Sequence, residues 1–511
     1  MKLGRILKGM AVQESKGDLD LEIAGLAYDS RQVKPGYLFV ALRGSARDGH
    51  DFINEAVRNG ASAVVLESEG SGKDIDNDVS VVRVRDSRAA LSKLAAEFYG
   101  HPYRNMTMVG ITGTNGKTTT SYLLESILLA AGARPGVIGT INDHLRQKIW
   151  EADVTTPESL ELMKRLHNMA ESGATHVVME VSSHALDQGR VRDCPFQIAV
   201  FTNISRDHLD YHKSIEAYFE AKSRLFLGLG EWKTAQSAKA VINVDDPKGR
   251  ALAELTDARV VTYGKQRGCD FRADGIRVGQ EGITARLITP YGEIGISSRL
   301  LGGFNIYNIL AASAAAMCLD VDPHAVASGV ANLSGVPGRL ELVKNSRSLS
   351  VVVDYAHTPD ALMKVLEAVK PLVKGRLITV FGCGGDRDKG KRRLMGHVAG
   401  EISDLVFITS DNPRTEDPSA IAHQIEEGVR ESGLEKLGEV YRNLPVKSGY
   451  VLELDRGNAI SRAIGIAEEN DFVLIAGKGH EDYQITGKGK RHFDDREVAA
   501  EAIRDKGNLN V

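Results

Sequence analysis

Residues 106–132 read MTMVGITGTNGKTTTSYLLESILLAAG, and the fold class turns on this stretch. An apolar, β-rich run beginning at Met106 gives way to Gly113-Thr114-Asn115-Gly116-Lys117-Thr118-Thr119 and then to an amphipathic helical pattern. Strand, glycine turn and helix in that order form the unit of an α/β domain with a parallel sheet, whose sites lie at the C-terminal strand ends. Gly113 and Gly116 let the backbone fold tightly, so that successive N–H groups and the helix N-terminus face phosphate oxygens. Lys117 suits the charge of β- and γ-phosphates, and Thr118 offers a hydroxyl to Mg²⁺. The strict phosphate-loop pattern has glycine where this chain has Ile111, so the assignment rests on the strand before and the helix after. A merely structural glycine turn would not require Gly-Lys-Thr-Thr at the helix start.

The same rhythm recurs at LITVFGCGGDRDKGKRRLMGHVAGEIS (377–403) and DFVLIAGKGHEDYQ (471–484). With 511 residues the chain is expected to hold about three domains at roughly 150 residues each. GHPYRN (100–105) and LSGVPGRLEL (333–342) interrupt the pattern with Gly and Pro, which predicts domains at 1–101, 102–334 and 335–511. The polar stretch SEGSGKDIDNDVS (68–80) is expected to be a surface loop of the first domain. Hydrophobic residues at 42% and charged residues at 26% fit a folded soluble protein and exclude a disordered one. Lys+Arg 64 against Asp+Glu 68 excludes a strongly basic nucleic-acid binder. No apolar run approaches the ~20 residues of a bilayer span. The start, MKLGRILKGMAVQESKGDLD, has no apolar signal core, and Cys194, Cys269, Cys318 and Cys383 lack metal-ligand spacing, so a cytoplasmic protein with reduced thiols is expected.

Three further clusters carry chemistry. In ATHVVMEVSSHALDQGR (174–190), His176–Val181 reads as a buried strand with Glu180 at its C-terminal end, a usual place for a magnesium ligand. A second run, QIAVFTN, followed by ISRDHLDYH, brings His208 to a neighbouring strand end. Alone, such a Glu is a rim residue and such a His a structural one; together beside a phosphate loop they point to a metal. FGCGGDRDKGKRR (381–393) carries five basic residues. Arg392 and Arg393 read as a solvated helix start, whereas Arg387, inside the turn, is better placed to meet an anion. FITSDNPRTEDPSA (407–420) sets Asp411-Asn412-Pro413-Arg414 between a strand and a helix capped near Thr415–Ser419. The turn does not require the arginine, and a guanidinium suits bidentate carboxylate recognition.

Taken with DSRQVKPGYLFVALRG, EAKSRLF, GGFNIYN, GVPGRLE, DYAHTPD and GKGHE, these motifs resemble the Mur ligase family across nearly the whole chain. The resemblance implies three α/β domains: an N-terminal UDP-sugar domain, a central ATP-binding domain with a P-loop-type parallel sheet, and a C-terminal Rossmann-like domain for the incoming amino acid. It is closest to the members that add meso-diaminopimelate to UDP-N-acetylmuramoyl-L-alanyl-D-glutamate through an acyl phosphate, with ATP as co-substrate and Mg²⁺ as cofactor. A monomer without nucleic-acid or membrane partners is implied.

Residue by residue, the resemblance assigns Gly113, Thr114, Asn115, Gly116, Lys117, Thr118, Thr119, Asn305 and Arg339 to ATP. Ser30, Ser45, Ala46, Arg47, Thr155, Thr156, Ser182, Gln188 and Arg190 go to the UDP-muramoyl-dipeptide, with Val154 where a relative has asparagine. Arg387, Asp411, Asn412, Pro413, Arg414, Gly477 and Glu481 go to diaminopimelate, Glu481 suiting its distal ammonium. Thr118, Glu180, His208 and a carbamylated Lys222 are implied metal ligands; Lys117, Glu180, His208 and Lys222 are the catalytic set, with His357 supporting. By sequence alone Lys222 is an unremarkable helical lysine. The competing readings are a lysine-adding ligase, a folylpolyglutamate synthetase, a P-loop switch or motor ATPase, and a non-catalytic nucleotide-binding regulator.

Overall fold

A computed structural model describes residues 1–44, 47–67, 75–152, 154–229, 238–345, 349–438 and 448–508. Ser45, Ala46 and most of the predicted loop at 68–80 lie outside the described residues. Among those described, the strands gather into sheets of five, eleven, six and two strands.

The N-terminal sheet runs Val12–Lys16, Ser80–Val84, Ala61–Leu66, Tyr37–Val40, Gly25–Ala27, parallel except for its first pair. The Ala-rich stretch forms the helix Ser87–Phe98, opened by Asp86, whose side chain accepts the Ala89 N–H and so satisfies a free helical donor. A short turn, Pro102–Asn105, then leads into the central sheet. Its parallel heart places Ile198–Phe201, Thr107–Thr112, His176–Glu180 and Pro135–Ile138 side by side. These strands are continuous apolar runs because helices cover both faces of a parallel sheet. The covering helix Asn305–Cys318 is buried along almost its whole length, which its small side chains allow. One apolar cluster continues from Leu38 and Val82 in the N-terminal sheet through Tyr103 and Met106 to Met108 and Val177 of the central one.

The six-stranded sheet orders Glu341–Leu342, Ser350–Asp354, Phe472–Ala476, Leu377–Phe381, Leu405–Ile408, Gly449–Leu452, antiparallel in its first pair and parallel thereafter. Phe472–Ala476, the last of these strands in sequence, returns to lie between Ser350–Asp354 and Leu377–Phe381, and ligand crevices form outside the carboxyl ends of such parallel strands. The loops beginning at Gly382, Thr409 and Gly477 all leave this edge.

The link between the central and last sheets passes under that edge. Gly338 has φ +65°, and a Cβ there would stand 2.1 Å from the His480 nitrogen and 2.4 Å from the Gly479 carbonyl carbon. Both neighbours are backbone, so no rotamer change relieves the clash. Gly338→Ala is therefore expected to lower the thermal unfolding midpoint by several degrees, the scale of strain plus overpacking. Differential scanning calorimetry checks this; an unchanged midpoint counts against the packing described.

Candidate active site

Gly113 and Gly116 meet the demand that a phosphate loop makes. Gly113 has φ +147°, and a Cβ there would stand 1.9 Å from Thr202 Oγ1; Gly116 has φ +90°, with Asn308 Oδ1 at 2.3 Å from its would-be Cβ. Each glycine thus permits both a backbone angle closed to other residues and a contact that no side chain could share. The loop is strapped from behind: the Asn115 N–H donates to Asn203 Oδ1 (3.0 Å) and the Ser205 N–H to Thr114 Oγ1 (3.0 Å).

Lys117 opens the helix Lys117–Ala130 and turns its amine back onto the loop, donating to the Gly113 and Thr114 carbonyls at 2.9 and 3.0 Å. Burial holds this ammonium below the usual lysine range, with Glu180 and Asp207 pulling the other way. A half-buried cation that, among the described residues, is hydrogen-bonded by neutral carbonyls alone is poised for an anion. Lys222, which is 1% exposed, donates to the same Gly113 carbonyl at 2.8 Å, and its nitrogen stands 4.4 Å from the centre of the Tyr218 ring. No carboxylate lies within ion-pair distance of it among the described residues. Burial first, and the Lys117 charge second, push its amine well below the ordinary value.

Glu180 ends its strand buried beside the loop. Its carboxylate accepts the Thr118 hydroxyl at 3.0 Å, the Thr140 N–H at 3.0 Å and the Thr140 hydroxyl at 3.0 Å. Its hydrogen-bond partners are all neutral, and no ion pair to it is formed among the described residues. His208 sits in a left-handed turn, its ring 5.0 Å from that of His184. Partial burial, with the His184, Lys117 and Lys222 charges, pushes its imidazole below the ordinary value, against the pull of Asp207 3.6 Å away. Among the described residues no three His, Cys, Asp or Glu side chains cluster as a metal site. A Glu carboxylate and a Thr hydroxyl nevertheless suit Mg²⁺, a hard cation that takes few protein oxygens and completes its shell with waters and substrate phosphates.

The residues expected at the dipeptide converge beside Glu180. Thr155 and Thr140 hydroxyls lie 3.1 Å apart, and Thr156 Oγ1 donates to the Glu180 carbonyl at 2.8 Å and accepts the Ser182 N–H at 3.0 Å. Arg190 donates to Gln188 Oε1 and to the Thr156 carbonyl, at 2.7 and 2.8 Å. Val154 is 47% exposed. Ser30 is buried with its hydroxyl on Glu55, while Arg47 is exposed. Asn305 lies beneath the loop: its amide donates to the Leu301 carbonyl (2.6 Å) and its oxygen accepts Asn308 (2.7 Å). Arg339 reaches the loop, with Nη2 3.3 Å from Thr118 Oγ1 and the guanidinium stacked over Tyr355. His357 is tied to the Tyr355 carbonyl and held low by burial.

At the edge of the last sheet, Asn412 donates to Glu481 Oε2 (2.9 Å) and accepts the Ile485 N–H (2.9 Å). Gly477 lets the Asp411 carboxylate approach, since a Cβ would stand 2.7 Å from Asp411 Oδ2. Pro413 is buried between them, and Arg414 has φ +53° and donates to the Gly385 carbonyl at 2.7 Å. No carboxylate pairs with Arg414 among the described residues. Arg387 is exposed and donates to the Asp386 carbonyl.

One sequence expectation is corrected. Arg392 is not solvated: it is 0% exposed and makes a bidentate pair with Glu416 at 2.9 and 3.0 Å. The helices Gly390–Ile402 and Pro418–Glu431 approach through Gly396, Gly400 and Gly428, which closes them over it. Arg393, by contrast, is exposed and pairs with Glu431. Three residues escaped sequence reasoning. Thr140 holds both Glu180 oxygens, Ser205 braces the loop, and Lys478, wholly buried, pairs with Glu481 at 2.9 Å. The small polar residues after strands could have flagged the first two; nothing local marks Lys478 as buried.

A glycine loop of phosphate-binding form, a buried carboxylate and an arginine-bearing sheet edge, all at the ends of parallel strands, are the frame of an α/β enzyme that uses a nucleoside triphosphate. The chain belongs to the Mur ligase family. Residues 22–99 match the Mur ligase family catalytic domain, 111–316 the Mur ligase middle domain, and 338–479 the Mur ligase glutamate ligase domain. A UDP-N-acetylmuramoyl-L-alanyl-D-glutamate–2,6-diaminopimelate ligase of Geobacter metallireducens is 49% identical over 508 residues, covering 99% of each chain. A ligase of the same name from Geobacter sulfurreducens is 48% identical, covering 98% of each chain. A solved structure of a ligase of that name superposes with a TM-score of 0.68 at 33% identity, covering 99% of both chains. No helix among the described residues is long and apolar enough to cross a membrane.

Proposed function

We propose that this chain is the ATP-dependent ligase that joins meso-diaminopimelate to UDP-N-acetylmuramoyl-L-alanyl-D-glutamate, acting as a cytoplasmic monomer in peptidoglycan precursor synthesis. Its domains are 1–101 for the UDP end, 102–334 for ATP and 335–511 for the amino acid. A carboxylate is a poor electrophile, so the γ-phosphoryl is first transferred to the dipeptide carboxylate. The free amine then attacks that carbonyl, and the tetrahedral species expels phosphate. Lys117 and the loop N–H groups offset charge on the transferring group, which is a matter of positioning and electrostatics. Thr118, Glu180, His208 and carbamylated Lys222 would hold Mg²⁺. When bound it supplies charge neutralisation at the phosphates. Thr155, Thr156, Ser182, Gln188 and Arg190 orient the dipeptide, and Asn305 and Arg339 complete the nucleotide side.

The observation that carries the choice of amino acid is the Arg414 guanidinium, anchored by the Gly385 carbonyl and, among the described residues, without a carboxylate partner. Diaminopimelate differs from lysine by a second carboxylate at the far end of its side chain. That carboxylate would pair with Arg414, and lysine would leave the guanidinium unpaired. Asp411 and Glu481 suit the adjacent ammonium.

The test is phosphate release dependent on both the UDP-muramoyl-dipeptide and an added amino acid. Diaminopimelate is expected to outperform lysine by about a hundredfold or more in kcat/KM, the scale of a polar group left unmatched. Arg414→Ala should raise KM for diaminopimelate by roughly tenfold or more while leaving that for ATP alone, as loss of a charge-assisted pair requires. Equal use of both amino acids by the unmodified protein would remove this reading.

A further inference from the structure

This inference rests on the reading of Arg190 as a dipeptide contact and concerns what sets its orientation. A polar seam joins the N-terminal unit to the central one. Tyr28, close in sequence to Ser30, donates its hydroxyl to Glu161 Oε2 at 3.1 Å. Arg88, in the helix Ser87–Phe98, brings Nη1 within 2.8 Å of Glu158 Oε2. The same oxygen stands 3.7 Å from Arg190 Nε. Glu158 Oε1 meanwhile accepts the Ser159 N–H at 3.0 Å, capping the helix Ser159–Glu171 and fixing the side chain. Glu158 is 14% exposed, Arg88 29% and Arg190 18%, so water screens the trio only in part.

The other partners of Arg190 are the neutral Gln188 amide and Thr156 carbonyl. Glu158 is thus the one carboxylate within ion-pair distance of Arg190 among the described residues. It also separates two guanidinia. Without its charge, Arg88 and Arg190 would face each other uncompensated, and the attraction that draws Arg190 toward this side of its site would be replaced by repulsion. Only Pro157 separates Glu158 from Thr156, so the carboxylate is placed by the residues that themselves line the expected dipeptide site.

We propose that Glu158 is a positioning residue for the muramoyl-dipeptide: it holds the Arg190 guanidinium in register and, through Arg88, ties that register to the unit expected to hold the UDP end. The substrate spans both units, so its affinity depends on Glu158 while that of UDP alone does not.

The test uses the full-length protein, with calorimetric binding of the UDP-muramoyl-dipeptide and of UDP alone beside steady-state kinetics. Glu158→Gln keeps the size of the side chain and removes its charge. Its Kd and KM for the UDP-muramoyl-dipeptide are expected to rise about tenfold, the scale of a lost charge-assisted contact. Its KM for ATP and for diaminopimelate, and its Kd for UDP, should stay within about twofold. In an Arg190→Met background the same change should add nothing further, because the effect runs through Arg190. The exchange Glu158→Arg with Arg88→Glu rebuilds a pair across the seam but sets a cation beside Arg190, and it should not restore affinity.

Recovery in the exchanged protein, an undiminished Glu158→Gln effect in the Arg190→Met background, or a parallel loss of UDP binding would overturn the proposal in favour of simple docking between units. Should Glu158→Gln fail to fold, Glu158→Asp keeps cap and charge but withdraws the oxygen by one methylene. It is expected to show the same selective rise, and normal affinity there overturns the proposal. An unmodified protein that does not bind the UDP-muramoyl-dipeptide fails the functional reading itself. One that binds it, with Glu158→Gln indistinguishable, fails this inference alone.

Discussion

Lys117→Ala is expected to lower kcat/KM by about three orders of magnitude with the fold intact, a loss on the scale of a preorganised charge in phosphoryl transfer. The Lys117 side chain adds nothing to the apolar core. Its nitrogen meets only the Gly113 and Thr114 carbonyls, and Lys222 also serves the first of these. Removing it therefore leaves the loop backbone largely satisfied while deleting the half-buried cation that opens the helix at the expected phosphates. Unfolding by circular dichroism and ADP affinity by calorimetry separate the two consequences: the melting curve should hold and ADP binding should weaken. Near-normal turnover in Lys117→Ala would remove the phosphate-loop assignment.

What sequence made legible divides along the distance between cooperating residues. Gly113, Gly116, Lys117 and Thr118 lie in one short stretch, and their placement follows from local backbone geometry, so spacing alone exposes it. The positions of Glu180 and His208 were legible because the first ends an apolar run, the second follows one, and parallel strands set those runs side by side. Arg392 was misjudged because its burial depends on Glu416 and on three glycines in two helices, a closure that no single segment encodes. Lys478 is similar, being a lysine in a glycine-rich loop whose partners Glu481 and Asn412 come together only because the strands on either side of Leu377–Phe381 end at the same edge of the sheet. Asn305 was legible as a motif residue, but its place beneath the loop follows from Asn308 filling the space beside Gly116. Glu158 would pass in sequence for an ordinary helix cap, and its second partner arrives from the N-terminal unit.

Lys222→Ala is expected to abolish measurable turnover, and a short carboxylic acid at high concentration to restore part of it. The reason is the environment of this side chain. The Lys222 amine is buried with no carboxylate in ion-pair distance among the described residues, near the Lys117 cation, and both features disfavour its ammonium form. A neutral amine can attack CO₂: its lone pair forms the N–C bond, a proton leaves, and a cation is replaced by a carbamate anion. That anion would sit close to Lys117, where the structure otherwise sets two basic nitrogens on a single carbonyl. Formate or acetate could occupy the space left by alanine and supply the missing negative charge. The pH dependence has a definite sign. The folded amine titrates below a free lysine, so carbamylation is favoured above that lowered value and is lost as the pH falls through it and the ammonium forms. Activity of the unmodified protein should accordingly fall on acidification in CO₂-depleted buffer and return when bicarbonate is added at the higher pH. Phosphate release assayed with and without formate provides the measurement. A fully active Lys222→Ala protein, or one that no carboxylate rescues, would show that the buried amine acts as a plain lysine and that the carbamate plays no part.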